Sequence, residues 1–388
     1  MRIAFFADNF LPQTNGAVTA TLNLIKGLAD RGHNVFVIAP KYRGYKEFSY
    51  KNVIVKRIPS LPSPFYPELK TTSPISFEIF NYIKNQKIDV IHLNSPLMLS
   101  ILAIIISKIL KIPLVGTFHT FFGDPQYLKN IGLNFKIFEY LSWKYSKLIY
   151  SNCNLLTSPS ESTKKDLISQ GINKNIQVIS NGIDNKIFDN SKSRQVRNKL
   201  NPRGPLILFI GRISHEKNIF YLIDCIKLAA KKIPKVKLLI IGDGPQMNEL
   251  KDKIKQLKLE NNVILAGKID HDKLIKSSIF KACDLFVTAS ITENQPMTIL
   301  EAQVNGLACI GIDKRGVKDL IKNNYNGYLV NLGDKEAFAN AIIKVISNKS
   351  LHKKMQQNTL KEIEKHKIKS VLDMWEKELS ELIYLKNH

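Results

Sequence analysis

The sequence predicts an α/β protein of two doubly wound, parallel-sheet domains facing a cleft. Three observations carry that expectation. Short runs rich in Val, Ile, Leu and Phe recur along the chain, each followed by a loop and a helical stretch. The alternation breaks off in a polar, charged stretch at 185–204, read as a linker, and then restarts. Glycines stand where apolar runs end, at Gly211, Gly242 and Gly267, as ligand-binding sheet edges require. The expected organisation is residues 1–190, residues 191–365, and a helix over 366–388 that packs back towards the first domain. A chain of 388 residues is long enough for this.

Residues 2–8 (RIAFFAD) read as a buried strand, then the loop LPQTNGAV, a helix through Leu28, and the strand NVFVIAP at 34–40. Gly16 at the helix entrance lets a ligand approach the backbone; a plain turn glycine is the alternative. There is no GxGxxG, so no dinucleotide cofactor is indicated. VIVKRI (53–58) is a strand and the proline-rich SLPSPFYPEL (60–69) a loop. KIDVIHLNS (87–95) is a strand, 97–110 an apolar helix, and PLVGTFHT (113–120) a strand ending in His119. After the aromatic loop FFGDPQYL, a helix at about 133–150 mixes aromatics with Lys136, Lys144 and Lys147. It either lies on a membrane surface or, the preferred use, buries its aromatics in the core. NLLTSPS (154–160) is a strand, a helix starts near Glu161, and IQVISNGID (176–184) closes this half. The second half repeats the pattern with strands at 205–213, 237–245, 262–269, 284–290 and 308–312. Trp375 and Leu379 share one face of the last helix.

The basic residues number 57, only 9 of them Arg, against 33 acidic ones, a net charge of +24. Such a charge attracts nucleic acid, anionic lipid or phosphorylated substrates. No basic cluster carries a nucleic-acid motif, so nucleic acid is not an expected partner. An anionic membrane surface is preferred over the alternative, a Lys-rich bias inherited from an AT-rich genome. The four cysteines, Cys153, Cys225, Cys283 and Cys309, have neither metal-ligand spacing nor a disulfide pattern, which suits a reducing cytosol. The first apolar run is too short for a signal peptide. The window Leu97–Ile112 contains Lys108 and Lys111 and falls short of a membrane span. The expected location is cytoplasmic, with peripheral attachment to the inner face of the cell membrane.

The stretch SITENQPMTILEAQVNG (290–306) concentrates the chemistry. Pro296 suits a helix start, whose free N–H groups and partial positive charge cradle phosphate. Glu293 precedes that helix and Glu301 lies within it. Two carboxylates beside a phosphate cradle accept hydroxyls, which implies a ligand with both phosphates and sugar hydroxyls. The bland reading makes Glu293 a helix cap and Glu301 a solvated position. Glu301 stands among Ile299, Leu300, Ala302 and Val304, however, and a buried carboxylate needs a partner. Arg212 and Lys217, after the first strand of this half, are the cations for a diphosphate. The alternative for Arg212 is a surface ion pair with Glu216. The run Asp270-His271-Asp272 reads as a capping turn at a helix start, not a metal site.

GRISHEKN, IIGDGP and the Glu293–Glu301 pair resemble the C-terminal half of the family 4 retaining glycosyltransferases. DNFLPQTNGAV, DVIHLNSP, GTFHT, SPSES and SNGID resemble their N-terminal motifs. The resemblance spans nearly the whole chain and implies the GT-B fold of two Rossmann-like domains, the first binding the acceptor and the second a sugar nucleotide. It implies a hexosyltransferase that uses a UDP- or GDP-sugar without a metal or other cofactor. Arg212 and Lys217 then hold the diphosphate, with Gly242 on the same edge and Gly16 close to the β-phosphate. Glu301 binds the ribose, Glu293 lies near the transferred sugar, His119 stands beside that sugar, and the backbone around Ile269 meets the nucleobase. His119 would orient the sugar without acting as a base; the alternative is a structural strand-end histidine. The family usually has Phe-Gly where this chain has Gln295-Pro296. Proline has no N–H, so Met297 and Thr298 would carry the phosphate contact.

Acceptor contacts are expected from the loops at about 60–75 and 121–132. The charge and the aromatic helix favour a lipid or glycolipid acceptor over a soluble or polysaccharide one. Competing functions are a two-lobed sugar-binding protein and a nucleotide-sugar epimerase of related fold, which needs no acceptor.

Overall fold

The first sheet contains β1 (Arg2–Phe6), β2 (Asn34–Pro40), β3 (Val53–Ile58), β6 (Val90–Leu93), β7 (Leu114–Thr117), β8 (Leu155–Ser158) and β9 (Ile176–Val178). A hairpin of β4 (Ser60–Pro62) and β5 (Lys70–Thr72) stands outside it. This computed structural model describes residues 1–63, 70–119, 136–172 and 174–387. The chain forms two units, Met1–Gly182 with Ile368–His388, and Ile183–Lys367.

The order in the first unit is β3-β2-β1-β6-β7-β8-β9, and every pairing is parallel. Successive side chains of a strand point to opposite faces. Ala4 and Phe6 therefore join Phe36 and Ile38 in one core, while Ile3, Phe5 and Ala7 join Val35, Val37 and Ala39 in the other. With both faces covered, the strands read as unbroken apolar runs. Helix Gly16–Asp30 starts at Asn15, whose side chain accepts from Val18 N at 3.0 Å. The last helix, Ile368–Asn387, lays Val371, Leu372, Trp375 and Leu379 over the second core. It approaches helix Gly16–Asp30 at Gly27, where a Cβ would lie 2.6 Å from Leu372 Cδ1. Arg31 adds ion pairs to Asp373 at 2.6 Å and Glu376 at 2.5 Å.

The second sheet has β10 (Leu206–Ile210), β11 (Lys237–Ile241), β12 (Val263–Leu265), β13 (Leu285–Thr288), β14 (Ala308–Ile312) and β15 (Gly327–Val330). Its order is β12-β11-β10-β13-β14-β15, again all parallel. The chain starts in the middle, runs out to β12, and returns to the other side of β10. Strand order therefore reverses between β10 and β13, the place where open α/β sheets bind ligands.

Several boundaries differ from the sequence reading. The supposed linker at 185–204 contains a 3-10 turn, Asn185–Ile187, and the helix Ser193–Leu200. That helix is one-sided, with Val196 and Leu200 as its only apolar residues, both partly buried, and Arg197 beside them donates to Ala282 O and Gly204 O and pairs with Asp284. The units divide at 182/183 and 367/368, where the reading set 190/191 and 365/366. Ile183 N bonds His366 O at 2.9 Å, which ties both crossing segments into the second unit. The stretch 60–69 is not all loop, because Ser60–Pro62 pairs antiparallel with Lys70–Thr72. Residues 64–69 of it, and the loop 121–132, lie outside the described residues. Helix Lys136–Ser151 divides its apolar side chains. Ile149 and Tyr150 are buried and Trp143 packs on the core, whereas Ile137, Tyr140, Leu141 and Leu148 are exposed. Among the described residues no helix is long and apolar enough to cross a membrane.

Candidate functional site

The loops after β10 and β13 flank the reversal in the second unit, and they are bonded to each other. Ile291 N and Ser290 Oγ both donate to Glu216 O, at 3.3 and 3.2 Å. The loop after β10 is also clamped to the one after β11. Gly211 N bonds Ile241 O and Ile213 N bonds Asp243 O, both at 3.0 Å. Gly242 has φ +148°, and a Cβ there would lie 1.8 Å from Gly211 O. Only glycine fits that crossing, so backbone packing by itself explains the residue. Arg212 is exposed at the start of the clamped loop, and a 3-10 turn, His215–Lys217, ends it.

Lys217 and Glu293 meet across the reversal, with the Lys217 ammonium donating to Glu293 Oε1. Burial lowers the pKa of Lys217, but the Glu293 carboxylate beside it outweighs that effect and the ammonium is held above its usual range. The lysine is therefore a fixed positive charge. Glu293 is positioned through its backbone: its carbonyl accepts from Gly316 N at 2.9 Å, and a Cβ on Gly316 would lie 1.8 Å from Asn294 O. Pro296 is the N-cap of helix Met297–Val304, one position before the first turn. Ile299 N makes the first bond back, to Pro296 O at 3.1 Å, so Met297 and Thr298 supply the leading N–H groups of that helix.

Glu301, the fifth residue of the helix, is 2% exposed. Its partner is His271, whose Nε2 lies 2.7 Å from Glu301 Oε1. A carboxylate only accepts, so the ring nitrogen carries the hydrogen. The sequence reading expected a partner for Glu301 without identifying it, and assigned His271 to a capping turn. Asp270 does occupy the N-cap of helix His271–Ile275, but its side chain makes no capping bond. The ring of His271 instead reaches Glu301, and Ile269 precedes it on the same loop after β12. That loop is held to the β11 edge by Gly242 N, which donates to Gly267 O at 2.9 Å. Among the described residues no three His, Cys, Asp or Glu side chains are grouped to hold a metal ion.

Arg212, Lys217, Gly242, Ile269 and Glu293 thus lie in the loops beyond the carboxyl ends of one sheet, and Met297, Thr298 and Glu301 in the helix that follows β13. Gly16 and His119 belong to the first unit, beyond the carboxyl ends of β1 and β7. Strand β7 ends at Thr117, so His119 stands in the following loop and not in the strand. Burial pushes its imidazole down to about 4, against the opposing effect of its hydrogen bond to Asn181. On the same edge Asp8 Oδ1 accepts from Leu99 N at 3.1 Å, capping helix Met98–Leu110.

The family model described as Glycosyltransferase Family 4 matches residues 14–186, and the one described as Glycosyl transferases group 1 matches residues 190–362. The alpha-monoglucosyldiacylglycerol synthase of Streptococcus pneumoniae is 28% identical over 336 residues, 85% of this chain and 75% of that relative. The GDP-mannose-dependent alpha-mannosyltransferase of Corynebacterium glutamicum is 28% identical over 363 residues, 92% of this chain and 83% of that one. Among solved structures, HepE of Anabaena in complex with UDP and glucose has the same fold, with a TM-score of 0.76 at 20% identity, over 98% of this chain and 100% of that one.

Proposed function

This chain belongs to glycosyltransferase family 4 and is a hexosyltransferase, and from that premise we propose that it moves a hexose, with retention, from a UDP- or GDP-sugar to a hydroxyl of a membrane lipid or glycolipid. The observation that carries this is the Lys217–Glu293 contact at the strand-order reversal, with a helix start alongside. When the bond from the anomeric carbon to the phosphate oxygen breaks, negative charge grows on the leaving diphosphate. Arg212, Lys217 and the N–H groups of Met297 and Thr298 stabilise it there. A preorganised donor of this kind contributes about 2.7–4 kcal/mol. The sugar passes through an oxocarbenium-like state. The acceptor hydroxyl attacks from the face that the diphosphate leaves, and its proton goes to the departing phosphate oxygen. Glu301 accepts from the ribose, and the backbone near Ile269 meets the base. The family pattern gives His119 the transferred sugar and Gly16 the β-phosphate. A neutral imidazole suits His119 to a hydrogen bond with a sugar hydroxyl. The reading needs no metal, since the chain's own cations neutralise the diphosphate.

The lipid acceptor is supported by the helix Lys136–Ser151. Its exposed Leu141 and Leu148 line an open groove of about 610 Å³ with Lys144 and Lys147. Apolar side chains interleaved with lysines suit the boundary of an anionic bilayer. The name of the Streptococcus pneumoniae relative points the same way.

The test incubates the full chain with UDP-glucose or GDP-mannose, with and without vesicles of diacylglycerol and anionic phospholipid, and scores products by mass. Transfer to the vesicle lipid is expected, with the anomeric configuration of the donor kept. Transfer only to soluble saccharides would overturn the lipid reading. Release of sugar without any acceptor would favour an epimerase or hydrolase. Arg212→Ala and Glu301→Ala should each weaken donor binding at least about tenfold, the scale of a hydrogen bond to a charged group. Unchanged affinity in both would remove the site assignment.

A further inference from the structure

We propose that His271 is a positioning residue for nucleotide binding. It fixes the Glu301 carboxylate before the donor arrives, so that the other carboxylate oxygen is already set to accept from the ribose. The inference rests on the reading of Glu301 as the ribose ligand.

Glu301 presents a problem that the fold has to solve. Its side chain is 3% exposed, on a helix that also buries Ile299, Leu300 and Ala302. A carboxylate in such a place costs several kcal/mol unless it is paired. The helix backbone is anchored independently: Asn305 Nδ2 donates to Glu301 O at 2.8 Å, and Asn190 Nδ2 donates to Asn305 Oδ1 at 3.0 Å. Those bonds place the backbone of Glu301 and do not reach its carboxylate. Among the described residues the carboxylate's hydrogen-bond partner is His271, at Oε1. The imidazole thus holds the carboxylate in one orientation, and the ribose meets an acceptor whose ordering cost has already been met.

The position of His271 adds a second consequence. It lies two residues after Ile269, on the loop assigned to the nucleobase, and its ring is 30% exposed. One short loop therefore reads the base with its backbone and orients the ribose acceptor with a side chain. A nucleotide that displaces this loop would also release Glu301, which couples recognition of the base to recognition of the ribose.

The experiment measures binding of UDP and of GDP to the full chain by calorimetry. The tighter-binding nucleotide is then compared with its analogue lacking both ribose hydroxyls. In the wild type, loss of the hydroxyls should weaken binding at least about tenfold, the scale of hydrogen bonds to a charged acceptor. His271→Ala should weaken the ribonucleotide about tenfold and leave the analogue unchanged. His271→Gln places an amide N–H where Nε2 stood and should restore most of the ribose preference. His271→Asn is too short to reach Oε1 and should behave like His271→Ala. The Gln and Asn variants keep the test open should the Ala variant fail to fold.

If His271→Ala weakens both ligands equally, or keeps the preference that Glu301→Ala loses, His271 has no positioning role while the Glu301 assignment stands. If Glu301→Ala itself keeps the preference, the ribose assignment fails and the inference falls with it. If neither UDP nor GDP binds the wild type, both fall.

Discussion

Replacing Asp8 by Asn should make the first unit more stable, and by more at alkaline pH than at acid pH. Asp8 is 1% exposed beyond the end of β1. Burial raises its carboxyl from 3.8 to about 7, against the opposing hydrogen bond from Leu99 N–H. A group whose folded pKa lies above its unfolded value contributes most below the unfolded value, and that contribution is lost as pH rises through about 7. Relative to the unfolded chain, Asp8 costs roughly 4 kcal/mol at about pH 8, where the buried carboxyl must ionise, and roughly 1.5 kcal/mol at about pH 5, where it must take up a proton that the unfolded chain has released, near 1.36 kcal/mol per pKa unit. The wild type therefore loses about 2.5 kcal/mol through Asp8 between those conditions, and the Asn variant none. Asn keeps the carbonyl oxygen that caps Leu99 N–H. The readout is specific to this unit, because both tryptophans, Trp143 and Trp375, lie in it. Urea unfolding followed by tryptophan fluorescence at the two pH values gives the difference directly. A variant-minus-wild-type difference that is the same at both would show that Asp8 is not held neutral by burial.

Lys217→Ala should lower kcat about 100- to 1000-fold, the scale of a lost preorganised donor. Its effect on stability should be small, because Lys217 and Glu293 keep 24% and 21% of their side chains exposed and water can solvate the carboxylate left behind. Steady-state kinetics with saturating donor decide it; a loss under about tenfold would remove Lys217 from the leaving-group chemistry. Gly242→Ala should destabilise the second unit by on the order of 3 kcal/mol or more, since the new Cβ would strike Gly211 O. Far-ultraviolet circular dichroism should then show an earlier transition, while the tryptophan signal of the first unit keeps its midpoint.

The strands were legible where the chemistry is one-dimensional. NVFVIAP, VIVKRI and ACIGI begin and end as the pattern of apolar residues says they should. Others were read too long, because the residues after a strand, such as Asp243 or His119, belong to the loop that follows it. The helix Ser193–Leu200 was missed because its apolar face is only Val196 and Leu200, too short a pattern to stand out, while Arg197 reaches carbonyls and a carboxylate on other segments that the sequence does not reveal. The hairpin of β4 and β5 was hidden by prolines, which an edge strand tolerates because its outward N–H groups need no partner.

The site was legible to the same limit, and the limit has a physical cause. The burial of Glu301 could be inferred from its apolar neighbours, because burial is a property of a helix face. Its pairing with His271 could not, because the two residues follow β12 and β13, strands that β11 and β10 separate in the sheet. The structure shows what the two acidic residues have in common: each is matched by a base from a different loop, Glu293 by Lys217 and Glu301 by His271. The more exposed pair uses a full ammonium, while the buried carboxylate is met by an imidazole, which can donate its hydrogen without bringing a permanent charge into the interior. Charge is thus concentrated where the diphosphate is proposed to leave, and hydrogen bonding where the ribose is proposed to rest. A chain that exchanged these partners, with lysine at 271 and histidine at 217, would have the same residue types along the same edge and should transfer sugar poorly.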